Sequence, residues 1–466
     1  MVDVSILQFP WSLILALAML SGLFLLWKCL PGCRGRRMLS GRAFAIASIA
    51  VVAVLTAVEG TWGTPLHRSP FFWAAAVLLM LSLSFATLDG LGASSRAGWK
   101  STGSARPVSC GSQLKPAAPK PLQHLAGVAS HLGMFLVVFG AFWSAPDFVD
   151  ARLIVGKESA GSVAVSHDGR AVQLPFSVRL EEFRTDYYPD GASPKQFSST
   201  LEVDGRSKTT SVNHPCSVRG YLIYQADYDH EAGSFSVLKL VRDPWLPLIF
   251  AGMLLLAAGA LLRLRLDWKS PLLFVVMAVV AVLFAVLSLA RINFGTLMPA
   301  LRSWWFVPHL ILYMLAYSAL ALAAVIGIVA LFGQTGGSLR LRSELVACAP
   351  ETRDNVAAGH RSAPQALRSL SYRLLDTASS LLLLGMICGA VWAKVAWGDW
   401  WTWDAKECWA AVTWLLTLVG THLPLRMKRR DIAVLVFILL SFAAMQVAWY
   451  GVEALPASSV SMHAYK

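Results

Sequence analysis

The chain has 466 residues, of which 56% are hydrophobic and only 14% charged, with 40 Lys and Arg against 27 Asp and Glu for a net charge of +13. Soluble domains average about 25% charged residues, and several apolar runs here reach the ~20 residues that cross a bilayer as helix, so a soluble globular chain is excluded. The basic excess is explained by loops held at anionic lipid headgroups, and nucleic acid is not needed as a partner.

In chain order, hydropathy predicts about ten spanning helices, over 11–30, 43–59, 71–90, 125–145, 245–262, 271–290, 306–332, 374–396, 405–425 and 432–451. The fold class is therefore an all-α polytopic integral membrane protein. The first run follows an acidic start, lacks a basic n-region and carries its charges on the far side, which predicts an anchor and not a signal peptide.

Basic residues collect in alternate loops: Arg34, Arg36, Arg37 and Arg42; Arg96, Lys100, Arg106, Lys115 and Lys120; Arg263, Arg265 and Lys269; Arg340 to Arg373; and Arg426 to Arg430. Short loops rich in Lys and Arg stay in the cytoplasm. Both termini are therefore expected in the periplasm, with the chain in a bacterial inner (cytoplasmic) membrane.

One outward loop, 147–243, is long enough to fold by itself. Alternating segments AVQLPFSVRLEEF and SSTLEVDG, broken by turn signals YPDG and VDGR, predict a small, mainly β periplasmic domain. Of seven cysteines only Cys216 falls in it, so no disulfide can form within it. The inward stretches 91–121 and 333–370 are rich in Ser, Gly, Ala, Pro and basic residues and read as flexible linkers.

An imidazole in hydrocarbon is costly unless it ligates or pairs. His131 enters from the cytoplasmic side and sits ~9 Å inside the boundary at ~1.5 Å per residue. His422 lies on a span running the other way and ends just before a basic cluster, so both fall in the inner leaflet. His309, after Trp304, Trp305 and Pro308, and His463, in the tail SSVSMHAYK, both fall at the outer face. Two pairs at matched depths suit axial ligation of two haem irons, whereas zinc would need a third or fourth ligand at each level. His124, two turns before His131, is a rival for the inner site, and a lone membrane histidine can also simply hydrogen-bond a neighbouring helix. His67, His167, His214, His230 and His360 read as exposed loop or domain residues.

Indoles gather at membrane interfaces as anchors, which explains Trp62, Trp245 and Trp268. It explains Trp397, Trp400, Trp401, Trp403 and Trp409 poorly, because five within thirteen residues exceed what anchoring requires. A large flat ligand stacked on indole faces would use them. Asp404 and Glu407 fit a capping box, with Asp404 as N-cap and Glu407 as the third helical residue.

The stretch WGDWWTWD matches the W-G-x-x-W-x-W-D signature of the tryptophan-rich haem-handling CcsA (ResC) type cytochrome c assembly proteins. FVPHLILYMLAYSALALA, GTHLPLR and SMHAYK extend the resemblance over roughly 295–466. HLGMFLVVFGA, VNHPCSVRGYLIYQADYD and LVRDPWLPLIFAGMLLL resemble the partner family, CcsB (ResB), so the chain looks like a fusion of the two. The division this implies is ResB-like helices over 1–146, the β-rich domain over 147–243, helices over 244–292 and a haem-handling domain over 293–466.

The resemblance implies a system II cytochrome c synthase, of the haem lyase type, which moves haem b across the membrane and attaches it to apocytochrome c. By position, His131 and His422 would be the inner iron ligands and His309 and His463 the outer ones. Trp397, Gly398, Trp400, Trp401, Trp403 and Asp404 would form the haem shelf, and Arg302 is a candidate for the haem propionates. Thioether formation with a C-x-x-C-H peptide needs reduced iron and reduced cysteines, which implies periplasmic thiol-disulfide reductants as further partners, beside membrane lipid.

Three features depart from the family pattern. Ala405 stands where proline is usual, and Cys408 where a hydroxyl is common, as apolar filler or as a reactive thiol. The outer domain is also small. Two other classes of protein remain open: a bis-His b-type cytochrome for quinone-linked electron transfer, and a transporter of another substrate, for which internal repeats are not evident.

Overall fold

A computed structural model of the chain describes residues 9–30, 34–100, 121–229, 233–267, 275–282, 286, 298–332, 363–423 and 429–457, with 93–100, 266–267 and 363–364 described by backbone alone. Helices α1 (Trp11–Cys29), α2 (Arg34–Leu39), α3 (Arg42–Trp62), α4 (Pro70–Lys100) and α5 (Pro121–Ser144) precede a sheet. Helices α6 (Leu246–Asp267), α7 (Phe306–Phe332), α8 (Ala363–Trp397), α9 (Ala405–His422) and α10 (Arg430–Gln446) follow it.

Among the described residues eight helical stretches are long and apolar enough to span a membrane, and the chain is a multi-pass membrane protein. About ten spans were expected. Of the expected span 271–290, residues 275–282 and 286 are described, as helix, with Met277 and Ala281 buried. The expected span 405–425 is α9, a helix of 18 residues in which Lys406, Glu407, Thr413, Thr417 and Thr421 dilute the apolar content below that of the other eight. Both expected linkers are also shorter than read, because α4 runs on to Lys100 and α8 starts at Ala363. Residues 101–120 and 333–362 lie outside the described residues.

Helix pairs α7–α8 and α5–α6 make the most extensive contacts, followed by α3 with α9. The α5–α6 seam is built on small residues. A Cβ at Gly133 would lie 2.7 Å from the Leu256 backbone N, one at Gly252 2.9 Å from the Gly133 carbonyl, and one at Gly259 2.4 Å from Ser130 Oγ. With little hydrophobic drive between helices in lipid, such close backbone approach is what supplies dispersion contact. One apolar cluster then runs from Ile49 and Ala53 of α3 and Leu256 of α6 into Leu320, Leu374, Leu382 and Ile438, so both halves of the chain share a core.

The sheet has eight strands: β1 (Val149–Gly156), β2 (Gly161–Ser166), β3 (Ala171–Tyr187), β4 (Pro194–Val203), β5 (Arg206–Ser211), β6 (Cys216–Val218), β7 (Tyr221–Tyr228) and β8 (Phe235–Arg242). All pairs are antiparallel, in the order β5-β4-β3-β2-β1-β8-β7-β6. Thr210 Oγ1 donates to the Ile223 carbonyl at 2.7 Å and Lys208 Nζ to the Ser217 carbonyl at 2.6 Å, which draws β5 toward β6 and β7 and curls the sheet. Alternate residues such as Leu153, Leu180, Leu201, Ile223, Leu238 and Leu240 fill its interior, as the period-two pattern requires.

The sheet joins the helices at Asp147, whose Oδ2 accepts from Ser12 Oγ at 2.7 Å and from Trp245 Nε1 at 2.6 Å. Trp245 is therefore a buried tie between α1, α5 and α6 rather than the lipid anchor expected of it. At the far end of the bundle, Asp89 accepts from Trp27 Nε1 at 2.9 Å and pairs with Arg36.

Candidate functional site

The tryptophan-rich loop connects α8 to α9 and lies against the sheet. Gly398 has φ +91°, and a Cβ there would come within 3.0 Å of Val241 and 3.1 Å of the Tyr224 ring, so glycine is required by backbone angle and by space. Asp399 Oδ2 receives Lys239 Nζ at 2.6 Å, and the same ammonium reaches Asp150 at 3.4 Å. Burial, then the charge of Asp399, holds the Tyr224 phenol protonated far above its ordinary range. The buried Lys394 donates to the Gly398 carbonyl at 2.8 Å, with the Trp400 and Phe148 rings 5.8 and 5.9 Å away.

The second half of the loop is held by the start of α9. Asp404 is the N-cap, accepting from Lys406 N at 2.8 Å. Glu407, three residues on, reaches back past the cap: its Oε2 accepts from Thr402 N at 2.7 Å and Thr402 Oγ1 at 3.0 Å. That tether turns the chain so that Trp403 takes φ +60°, a left-handed angle that costs a non-glycine residue roughly 1–2 kcal/mol.

Trp403 is packed by the first third of the chain. The His67 ring lies parallel to it, with centroids 4.9 Å apart and planes 3° apart, while Phe72 and Trp401 meet it edge-on at 5.1 and 6.2 Å. Glu59, only 3% exposed, accepts from His67 N at 3.0 Å and contacts His67 Nδ1. His67 is thus not the exposed loop residue expected. The available sequence signal was Glu59, a carboxylate closing an apolar run where an unpaired charge is costly.

Cys408 is fully buried; Gly60 of α3 comes so close that a Cβ there would lie 2.6 Å from Cys408 Cβ. Its Sγ points to the Trp403 carbonyl at 3.4 Å, which makes it packing, not a presented thiol. The buried indole N–H groups of Trp400, Trp401 and Trp409 have no acceptor among the described residues. Such groups cost free energy unless something accepts from them.

Three of the four predicted histidine ligands are described; His463 lies outside the described residues. His309 Nδ1 meets the Gly385 carbonyl at 2.8 Å, and its ring fills the hollow left by Gly389, where a Cβ would be 2.7 Å away. From there a line of rings leads to the loop: His309 to Trp392 at 5.9 Å and Trp392 to Trp397 at 5.3 Å. His131 Nδ1 meets the Gly127 carbonyl and His422 Nδ1 the Leu418 carbonyl, each at 2.8 Å. The structure brings these two together, with ring centroids 6.2 Å apart and nearly perpendicular. Arg302 donates to the Lys195 carbonyl of the sheet domain at 3.3 Å and lies over the Tyr188 ring.

The fold and this loop define a multi-pass membrane protein that mounts a tryptophan surface, braced by a β domain, above a pair of facing histidines. Residues 245–458 match the family described as cytochrome C assembly protein, and residues 117–237 match the ResB-like family. In chain order, a segment similar to the ResB-like family is followed by one similar to the cytochrome C assembly family.

Similar proteins include the cytochrome c biogenesis protein CcsA of Synechococcus sp. strain RCC307, 38% identical over 170 residues, which are 34% of this chain and 55% of the relative. That of Synechococcus sp. strain WH7803 is 37% identical over 144 residues, 27% of this chain and 45% of the relative. That of Prochlorococcus marinus strain MIT 9515 is 32% identical over 178 residues, 37% of this chain and 56% of the relative. The chain spans about half the length of these relatives. Glu59, His67 and Phe72 precede both family-matched segments.

Proposed function

We propose that the chain takes haem b across the bacterial inner membrane between His131 and His422, and then holds it at a periplasmic tryptophan surface with His309 and His463. There its vinyl groups are joined to the cysteines of a C-x-x-C-H segment of apocytochrome c. The carrying observation is that His131, His422 and His309 each direct Nδ1 to a backbone carbonyl 2.8 Å away. A carbonyl only accepts, so the proton sits on Nδ1 and the neutral ring keeps its lone pair on Nε2, the arrangement by which proteins orient metal-bound imidazoles.

The inner spacing supports the same reading. Two metal–nitrogen bonds of about 2 Å, and about 1 Å from each nitrogen to its ring centre, separate the rings across one metal by roughly 6 Å. His131 and His422 stand at 6.2 Å. The 18 residues of α9 then set His422 about 27 Å along the helix from the tryptophan loop, close to the hydrocarbon thickness of a bilayer.

At the upper site, Trp397, Trp400, Trp401 and Trp403 offer flat apolar faces, and the unaccepted N–H groups of Trp400 and Trp401 suit the carboxylates of haem. Gly398 and Asp404 shape the loop that presents them. In the bond-forming step each cysteine sulfur adds to one vinyl carbon and its proton goes to the other, with no net oxidation. Haem supplies that reactivity; the chain orients it and leaves an edge open to the peptide. Reduced peptide thiols are required, which makes periplasmic thiol-disulfide reductants the upstream partners.

The test is to purify the chain in detergent and record reduced-minus-oxidised spectra with and without His131→Ala, His422→Ala, His309→Ala and His463→Ala. The first two are expected to lower haem content, and the last two to abolish covalent cytochrome c formation with partial rescue by added imidazole. Unaltered holocytochrome yield in the outer variants refutes the proposal.

A further inference from the structure

The segment joining α3 to α4 lies outside both family-matched segments, yet it supplies the group that covers one face of Trp403. Three observations bear on what it does. Trp403 holds a left-handed backbone angle that an L residue seldom keeps unaided. The His67 ring is stacked on it within 3° of parallel. That ring is not free to turn, because Glu59 receives both the backbone N–H and the ring nitrogen of His67, two contacts from one buried carboxylate. A carboxylate this deeply buried is costly unless its oxygens are filled, so Glu59 and His67 hold each other in place.

We propose that Glu59 and His67 are positioning residues for the proposed haem surface. The carboxylate locks the imidazole flat against Trp403, and the stack, with Phe72 at the indole edge, keeps that indole turned to present its other face. The inference rests on the reading that Trp403 carries porphyrin. It makes the start of the chain part of the assembly surface, consistent with the close approach of α3 to α9 at Gly60, next to Glu59, where a Cβ would lie 2.6 Å from Cys408 Cβ.

Two measurements test it on the full chain in detergent. The first needs no haem: near-ultraviolet circular dichroism of the wild type and His67→Ala, each repeated in a Trp403→Phe background. The His67→Ala change is expected to alter the tryptophan signal in the first background and to leave it unchanged in the second. The same alteration in both backgrounds, or none in either, overturns the clasp.

The second is holocytochrome yield with a co-expressed apocytochrome. His67→Ala is expected to lower it roughly 10–100-fold, the scale of an ångström-sized misplacement. The double variant Glu59→Gln with His67→Phe, which restores a flat ring without a buried unpaired charge, is expected to recover most of it. Equal loss in both variants overturns the role of stacking. A wild-type chain that binds no haem and yields no holocytochrome removes the proposed function instead, and the dichroism arm still decides whether the clasp exists.

Discussion

Gly133 and Gly127 form a matched pair on α5, one on each side of His131. A Cβ at Gly133 would sit 2.7 Å from Leu256 N, 2.8 Å from the Gly252 carbonyl and 3.0 Å from Leu256 Cγ; at Gly127 it would meet nothing within 4 Å. Two of the three Gly133 neighbours are backbone atoms of α6, which cannot swing aside. An ordinary contact begins near 3.4 Å, so Gly133→Ala must push the helices apart by about 0.7 Å, at the roughly 1–3 kcal/mol typical of overpacking. Both alanines gain the same helix propensity, so the difference between them isolates the steric cost. Thermal unfolding in detergent should place Gly133→Ala below Gly127→Ala by several degrees, at no more than about 2–4 °C per kcal/mol for a chain of this size. Because His131 is two residues away and meets His422 at 6.2 Å, haem content should fall in Gly133→Ala and stay at the wild-type level in Gly127→Ala. Equal melting temperatures for the two variants refute the close-packed seam.

Lys239→Met strands Asp399 and Asp150 at the contact between sheet and loop, and should cost about 1–3 kcal/mol, reduced from the fully buried case because Asp399 is 24% exposed. Adding Asp399→Asn should return part of it, as read from protease resistance of the loop. Asp404→Ala removes the N-cap of α9 and should cost about 0.5–2 kcal/mol in thermal unfolding, whereas Asp404→Ser should be nearly neutral; identical behaviour of the two would show the cap contributes nothing. Cys408 should resist maleimide in the native chain and react after denaturation, with the modified residue identified by mass spectrometry; native labelling would mean that it is not the buried filler seen under Gly60.

Much of the site was legible because its signals are local. Five indoles within thirteen residues, histidines at helix depths that can be counted from charged loop ends, and period-two alternation before β-turn residues are all short-range patterns. The cap itself was legible, since Asp404 caps α9 as read, whereas the reach of Glu407 to Thr402 depends on the turn that precedes the helix. His67 was misread for the opposite reason. Its one local signal is Glu59, eight residues earlier, and its burial depends on α3 packing on α9, far along the chain.

Composition, apolar run length and loop charge determine that this chain is a multi-pass membrane protein, because transfer of side chains into lipid is nearly additive along a segment. The tryptophan-rich stretch likewise lies within the segment that matches the cytochrome C assembly family. Only the folded chain decides which ring faces which: that His131 meets His422, that Lys239 clips the loop to the sheet, and that His67 lies on Trp403. Those pairings depend on which helix surfaces approach most closely, and at α3, α5 and α8 that approach is set by single glycines whose missing Cβ has no effect until a partner arrives.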